Sequence, residues 1–335
     1  MNEETRRLFS LVDKLSHLRV AVWGDFILDE YITGCTRRIS REAPVLILSF
    51  QKREAALGGA GNALLNLLAL GVEAVPIGAV GDDEAGRTIA SILGRAGADT
   101  RSLFPLKGFA TPLKTRVLAG EENTRKQQIL RIDREGTVPA TAAWKAKLRS
   151  ALAKAAKTAD ALIISDYHYG GILEDLFPSA LASFKARKKP VTLDSRYRLL
   201  RFPGVTLATP NEPEVEEALK ASLATGEPAV RKAGASLLRK LRSPAMLITR
   251  GSKGMALFEK GRPPLFLPVS GPTDIVDVTG AGDTVISVLT AALAGGASFA
   301  DAARLANAAG GIVVMKKGAA TLSPIELKQA LVSEP

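Results

Sequence analysis

Short runs of aliphatic and β-branched residues alternate along this chain with longer stretches whose apolar positions recur every three or four residues. The runs at 20–23, 74–77, 161–165, 191–193, 206–208 and 246–249 predict strands. The stretches at 61–70, 85–95, 144–156 and 214–221 predict helices. Alternation of this kind implies an α/β fold, doubly wound, with a mostly parallel sheet and helices on both faces. In such a sheet the ligand crevice lies beyond the carboxyl ends of the strands. There are no internal repeats and no low-complexity linker, so a single domain over 1–335 is expected.

Two regions, near 32–56 and 106–134, break the alternation and read as extended segments. Leu130 and Ile132 share one face of a strand, and Arg131 and Asp133 share the other. Lys114 and Arg116 likewise oppose Thr115 and Val117. Such a half-polar pattern suits a small sheet used as a lid over a site, and it suits an ordinary edge hairpin equally. Periodicity does not choose between them.

Composition narrows the class. The 335 residues are 46% hydrophobic and 24% charged, enough to bury a sizeable core. The longest weakly polar run, between Asp283 and Asp301, is broken by Gly295 and Gly296 and reads as two helices instead of a membrane span. The first residues are charged throughout and lack the apolar core of a signal peptide. The single cysteine, Cys35, excludes an internal disulfide and suits a reducing compartment, so the cytoplasm is expected. A net charge of +11 invites a nucleic-acid reading, yet the basic residues are scattered along the chain. They are expected to be solvated surface or to draw anionic small substrates towards a cleft, with neither a specific nucleic acid nor a membrane as partner.

The strongest local signal is Asp277-Val278-Thr279-Gly280-Ala281-Gly282-Asp283-Thr284 before a helical run. A backbone of this kind turns tightly and can aim N–H groups at an anion from the start of a helix. Phosphoryl transfer needs such donors, and Asp283 at the helix entrance is within reach of a hydroxyl that must lose a proton. Taken alone, the same turn is also an ordinary helix cap. Gly58-Gly59-Ala60-Gly61-Asn62 opens a second helix, and the segment from Gly24 and Asp25 to Asp29 follows the first strand.

Together these segments resemble a known family. Gly58 and Gly59 with Asn62 resemble the first signature of the PfkB/ribokinase carbohydrate kinases, and Asp277 to Asp283 resembles the second, within a likeness running from about Arg19 to Leu322. The resemblance implies a ribokinase-like fold with a small β lid. It implies Asp283 as general base and Gly280, Ala281 and Gly282 as an anion hole. Asp25, Asp29, Gly58, Gly59, Asn62, Arg116, Arg131, Asp166 and Arg196 would serve the sugar substrate, with Arg201 a further candidate for a remote phosphate. Asn211 and Glu214 resemble the element that orders Mg²⁺ and phosphate through water, and they also read as a capping box. Thr249, Gly251, Lys253 and Gly254 resemble the nucleotide loop, and Asn307 the residue beside adenine. Asp277 and Thr279 stand where some relatives hold a monovalent cation such as K⁺. ATP with Mg²⁺ as cofactor, an anionic sugar phosphate as substrate and a homodimer paired through the lid are implied.

One branch fits best. The segments 38–45, 126–133, 165–167 and 276–286 resemble the kinase domain of ADP-heptose synthesis, which phosphorylates O1 of D-glycero-β-D-manno-heptose 7-phosphate. Several members of that branch add a nucleotidyltransferase carrying a His-x-Gly-His motif. Here the histidines are His17 and His168 alone, so that second activity is not expected. The chain departs from the branch at Tyr169, where Lys is usual, at Ser195-Arg196 for Pro-Lys, at Arg41 for Pro and at Ser287 for Gly. Those departures leave open a kinase for another sugar or a nucleoside. A silent sugar-sensing regulator is the rival from another class, and retention of Asp283, Asn211 and Glu214 argues against it. With no Gly-Lys dipeptide a Walker A loop is excluded, and two histidines and one cysteine cannot build a usual zinc site.

Overall fold

The computed structural model describes residues 2–333 apart from 123, 125, 225 and 272–274. Two of these, 123 and 125, fall inside the second expected lid segment and lie outside the described residues. In chain order the strands are β1 (Arg19–Gly24), β2 (Phe26–Ile39), β3 (Leu46–Gly59), β4 (Glu73–Gly81), β5 (Leu103–Leu106), β6 (Leu113–Gly120) and β7 (Gln127–Arg134). They continue as β8 (Ala161–Asp166), β9 (Val191–Ser195), β10 (Leu207–Ala208), β11 (Ala245–Thr249), β12 (Met255–Glu259) and β13 (Leu265–Leu267). The helices are α1 (Glu3–Lys14), α2 (Ala60–Ala69), α3 (Glu84–Arg95), α4 (Ala142–Thr158) and α5 (Phe177–Lys185). After them come α6 (Glu212–Leu219), α7 (Glu227–Leu241), α8 (Ala281–Ala294), α9 (Phe299–Val313) and α10 (Pro324–Ser333).

Among the described residues the main sheet runs in the order β13-β12-β11-β10-β9-β8-β1-β4-β5, parallel except where β12 and β13 turn back. Its strands are buried on both faces, and their period of two sorts side chains between two cores. In β1, Val20 and Val22 face the layer of α1, α2, α3, α8, α9 and α10, while Ala21 and Trp23 face that of α4, α5, α6 and α7. The same division separates Ala245 and Leu247 from Met246 and Ile248 in β11. The weakly polar run at 283–301 is two helices, α8 and α9, and Asp283 to Ala292 is buried on every side. The ribokinase-like reading of the sheet holds.

The second sheet, ordered β3-β2-β6-β7, answers the choice that periodicity left open. It springs from the carboxyl end of the main sheet at Gly24 and returns to it where Gly59 enters α2. Strand β2 pairs antiparallel with β3 and parallel with β6, and β6 pairs antiparallel with β7. The expected boundaries shift slightly. Leu106 belongs to β5 in the main sheet, and the first lid hairpin starts at Phe26 instead of near 32. Leu130 and Ile132 point outward while Arg131 and Asp133 point at the cavity described below.

Tight packing between the layers makes a testable contrast. A Cβ on Gly234, in α7, would stand 2.4 Å from the buried ring of Phe258. Gly234→Ala should therefore lose about 1–2 kcal/mol, because overpacking outweighs the roughly 1 kcal/mol helix-propensity gain. A Cβ on Gly94, in α3, meets nothing within 4 Å, so Gly94→Ala should gain up to about 1 kcal/mol. Urea denaturation of the two variants, with opposite shifts of the midpoint, checks both.

Candidate active site

The end of β1 and the starts of α2 and α8 meet beneath the lid. Gly59 precedes α2 with φ 57°, where a Cβ would stand 2.8 Å from the Asp25 carbonyl. Gly280 precedes α8 with φ 77°, where a Cβ would stand 2.3 Å from Asn62 Nδ2. Two glycines thus let two helix N-termini converge, and both termini point at the same cavity. The cavity is about 440 Å³ and is walled by the lid on one side and by the carboxyl ends of the sheet on the other.

Asp283 sits in the first turn of α8, 4% exposed. Its Oδ2 accepts from Asn62 Nδ2 at 2.9 Å and its Oδ1 from the Tyr167 hydroxyl at 3.2 Å. Burial pushes this carboxyl up to about 7; the two hydrogen bonds oppose the rise and the charge of Asp29 adds to it. A base that titrates near neutrality and faces a cavity is suited to taking a proton from a hydroxyl. Of the expected anion donors, the Ala281 amide already bonds the Val278 carbonyl at 3.2 Å. Among the described residues the amides of Gly280, Gly282 and Asp283 have no acceptor, so these donors at the head of α8 are open to an anion.

Asp29, Gly58, Gly59, Asn62, Arg116, Arg131, Arg196, Thr279, Gly280 and Asp283 all line the cavity. Asp29 is paired with Arg116 from the neighbouring lid strand. Asp25 and Asp166, expected at the sugar, are not among the residues that line it. The Asp25 carboxylate accepts the amides of Tyr167, Tyr169 and Gly171 at 2.8–3.1 Å, which shapes the loop after β8. Burial and the nearby charge of Asp166 still lift Asp25 to about 6. Asp166 is bonded by Ser195 Oγ at 2.7 Å and by the guanidinium of Arg198. Arg201 opens on a different hollow, beside Glu174 and Lys185.

The remaining expected residues lie one step along the sheet edge. Asn211 and Glu214 form a reciprocal capping box at the head of α6, with bonds of 2.8 and 2.9 Å. Thr249 ends β11 and bridges to Asn211; Gly251 and Lys253 form the turn after it, and Gly254 closes that turn through a bond to the Arg250 amide. Asn307, on α9, donates to the Pro268 carbonyl at 2.8 Å. Asp277 holds the entry to α8, accepting from Thr279 N and Oγ1 and from the Gly318 amide. Burial would raise Asp277, but those three bonds outweigh it and hold the carboxyl below its usual range.

Sequence reasoning missed several cavity residues as site members: Lys114, Asp133, Glu135, Tyr167, His168, Tyr169 and Tyr197. The alternation around Lys114 and Asp133 carried that signal. The likeness of 165–167 and the departure at Tyr169 marked the loop after β8, where His168 takes φ 68° and Tyr169 donates to Glu135 at 3.1 Å. Asp194, at the end of β9, was also missed. Burial, and then the charges of Glu214, Asp283 and Asp166, push its carboxyl well up. Asp194 and Glu214 repel one another, and Arg196 and the Asn211 bonds to Glu214 offset only part of what burial costs them, so the pair fits a divalent cation held largely through water. Among the described residues no group of three or more His, Cys, Asp or Glu side chains gathers as a metal cage.

Comparison with known proteins agrees with this geometry. The model of the pfkB family carbohydrate kinases matches residues 18–326. The bifunctional protein HldE of Pelobacter propionicus is 36% identical over 329 residues, covering 98% of this chain and 66% of that protein. Those of Geobacter metallireducens and Caulobacter vibrioides are 38% and 39% identical, covering 97% and 94% of this chain and 65% of each relative. The chain therefore spans just under two thirds of the length of these relatives. Arabidopsis thaliana ribokinase complexed with ribose and ATP superposes with a TM-score of 0.73 at 20% identity, covering 94% of this chain and 98% of that one. Phosphofructokinase-2 from Escherichia coli in complex with substrates and products gives 0.74 at 17%, with the same coverage, so both share the fold.

The burial of Asp283 predicts a stability effect separate from any activity. Its folded value of about 7 lies above the ordinary 3.8, so folding takes up a proton and this group's contribution falls as pH rises from about 4 to 7. Asp283→Asn removes the penalty. The variant should gain about 2–3 kcal/mol over the parent between pH 5 and pH 8, following 1.36 kcal/mol per unit. Denaturation curves of both proteins at the two pH values test this; a difference independent of pH would mean that the carboxyl is well solvated.

Proposed function

The chain belongs to the pfkB family of carbohydrate kinases, and from that premise we propose that it transfers the γ-phosphoryl group of ATP to O1 of D-glycero-β-D-manno-heptose 7-phosphate. The product would be the 1,7-bisphosphate of ADP-heptose synthesis. The observation that carries the reading is Asp283, desolvated at the head of α8 and facing a cavity whose lid wall bears Lys114, Arg116 and Arg131. The cross-strand register supports an anionic substrate. It sets Arg116 directly opposite Arg131, each held by one carboxylate, Asp29 or Asp133, so the pair still offers guanidinium donors to an anion in the cavity. Segments 38–45 and 126–133 and the relatives named HldE support the branch.

In this reading Asp283 takes the proton of the attacking hydroxyl while Asn62 and Tyr167 hold its carboxylate in line. The open amides of Gly282 and Asp283 receive the phosphoryl oxygens, and Asp29 with Gly58 and Gly59 orients the sugar. The nucleotide lies along Thr249, Gly251, Lys253, Gly254 and Asn307. Asp194 and Glu214, with Asn211, would hold Mg²⁺ through water, and that cation supplies neutralisation of the phosphate charge when bound. The turn of Asp277 and Thr279 is where K⁺ would sit. The lid excludes water, which would otherwise compete as acceptor. Exposed apolar side chains on the lid strands, among them Phe50, Leu130 and Ile132, support pairing of two copies through the lid. We place the protein in the cytoplasm; among the described residues no helix is long and apolar enough to cross a membrane.

Three outcomes are expected. ATP turnover with Mg²⁺ should select heptose 7-phosphate from a panel that also holds ribose, fructose phosphates and nucleosides; selective turnover of another acceptor would remove the pathway while keeping the chemistry. Asp283→Asn should lower kcat by about 10²–10⁴-fold, and in the parent kcat/KM should rise with pH to a plateau above about 7, because the base must first lose its proton. Sedimentation at working concentration should give a dimer, and a monomer would remove the lid-paired assembly.

A further inference from the structure

Four basic residues other than His168 line the cavity, and three are already matched. Arg116 is paired with Asp29, and Lys114 and Arg131 share Asp133 at 3.5 and 2.9 Å. Arg196 differs. Its charge acts on Asp194 and Glu214 and opposes the rise that burial gives both carboxyls, yet among the described residues no carboxylate stands within ion-pair distance of it, and its guanidinium lies over the ring of Tyr197, 5.7 Å from the centroid. Its neighbours in sequence are otherwise engaged. Arg198 is bonded to Asp166 and Glu174, and Arg201 faces another hollow.

The sheet order gives this charge, free of any close ion pair, a direction. Arg196 follows β9 directly, and its amide is pinned to the Asp166 carbonyl at 3.0 Å. Strand β9 stands between β8 and β10. On the β8 and β1 side lies the cavity with Asp29, Gly59, Tyr167 and Asp283. On the β10 and β11 side lie Asn211, Glu214 and the turn after Thr249. A phosphoryl group that leaves a nucleotide on the second side for a hydroxyl on the first must pass the end of β9. A cation meant for a phosphate far from the reacting hydroxyl belongs instead on the lid, where Lys114, Arg116 and Arg131 stand.

We propose that the Arg196 guanidinium is a catalytic residue that binds the phosphoryl group in transit and stabilises the charge on its equatorial oxygens. This rests on the kinase reading above. In the step, the bond from the acceptor oxygen to phosphorus forms as the bond from phosphorus to the bridging oxygen of the nucleoside diphosphate breaks. The hydroxyl proton goes to Asp283, and the diphosphate leaves with the bonding pair. Arg196 exchanges no proton in the step, and its planar fork matches two equatorial oxygens.

The test is steady-state kinetics of Arg196→Ala and Arg196→Lys, with folding checked by thermal melts. The Ala variant should lose about 10²–10³-fold in kcat, the scale of one transition-state donor, with acceptor KM changed less than about threefold. The loss should be the same for a phosphorylated acceptor and for its unphosphorylated sugar, and Lys should restore part of it. An Ala variant with parental kcat overturns the proposal. So does a defect confined to the KM of phosphorylated acceptors, which would make Arg196 part of the substrate's phosphate seat. ATP turnover by the parent, with sugar and with water as acceptor, separates the two levels: a parent that does neither overturns the kinase reading and this role together.

Discussion

The side chain of Asn62 joins the two halves of the site. From the first turn of α2 its amide reaches across to Asp283 Oδ2 and, at 3.3 Å, to the Gly280 carbonyl. Behind it Asn66 bonds the Asn62 carbonyl and accepts from Thr284, while Ser287 bonds the Ala63 carbonyl. This polar seam lies between helices that are otherwise apolar where they meet. Buried donors and acceptors hold their partners strongly in so low a dielectric, so the seam sets the spacing of α2 and α8. Gly280 follows from the same constraint, because the space a Cβ would need is filled by the Asn62 amide.

That arrangement places a carboxylate where hydration is poor. Two hydrogen bonds compensate part of the lost solvation at Asp283, and the remainder appears as a carboxyl titrating near neutrality. A second set of carboxylates, Asp25, Asp166, Asp194 and Glu214, crowds the same sheet edge. Asp25 and Asp166 are satisfied by amides and by Arg198 and so shape loops. Asp194 and Glu214 remain raised by burial although Arg196 and the Asn211 bonds oppose it, and they stand on the side proposed for the nucleotide and its cation. The carboxylates of this edge thus differ in how far internal partners offset their burial, and the proposed roles follow that difference.

Much of this was legible in one dimension. Period-two and period-3.6 patterns located the central strands and helices, because burial on both faces of a parallel sheet leaves a continuous apolar run. Asp29, Gly59, Asn62 and Asp283 belong to short motifs whose backbone chemistry is local, and all four line one cavity. Asp25 shows the limit of such motifs, since a carboxylate beside a glycine turn looks the same whether it faces a ligand or three amides. Tyr167 was marked only as part of a family-like segment and Asp194 not at all, because each matters through a neighbour remote in sequence, Asp283 at 116 positions for one and Glu214 for the other.

The arginines mark the boundary most clearly. The spacing of 196, 198 and 201 makes three similar side chains, and nothing local tells which is spent on an internal carboxylate, which faces a cavity and which faces solvent. Chain order determined the alternating strands and helices, the two glycine turns and the residue types needed for phosphoryl chemistry, because those depend on contacts a few residues apart. The lid over the cavity, the pairing of Arg198 with Asp166, the exposure of Arg196 between the two halves of the sheet and the raised carboxyl of Asp283 were decided by tertiary structure. Each depends on how far water and opposite charge stand from a group, and that distance is set by elements remote in sequence.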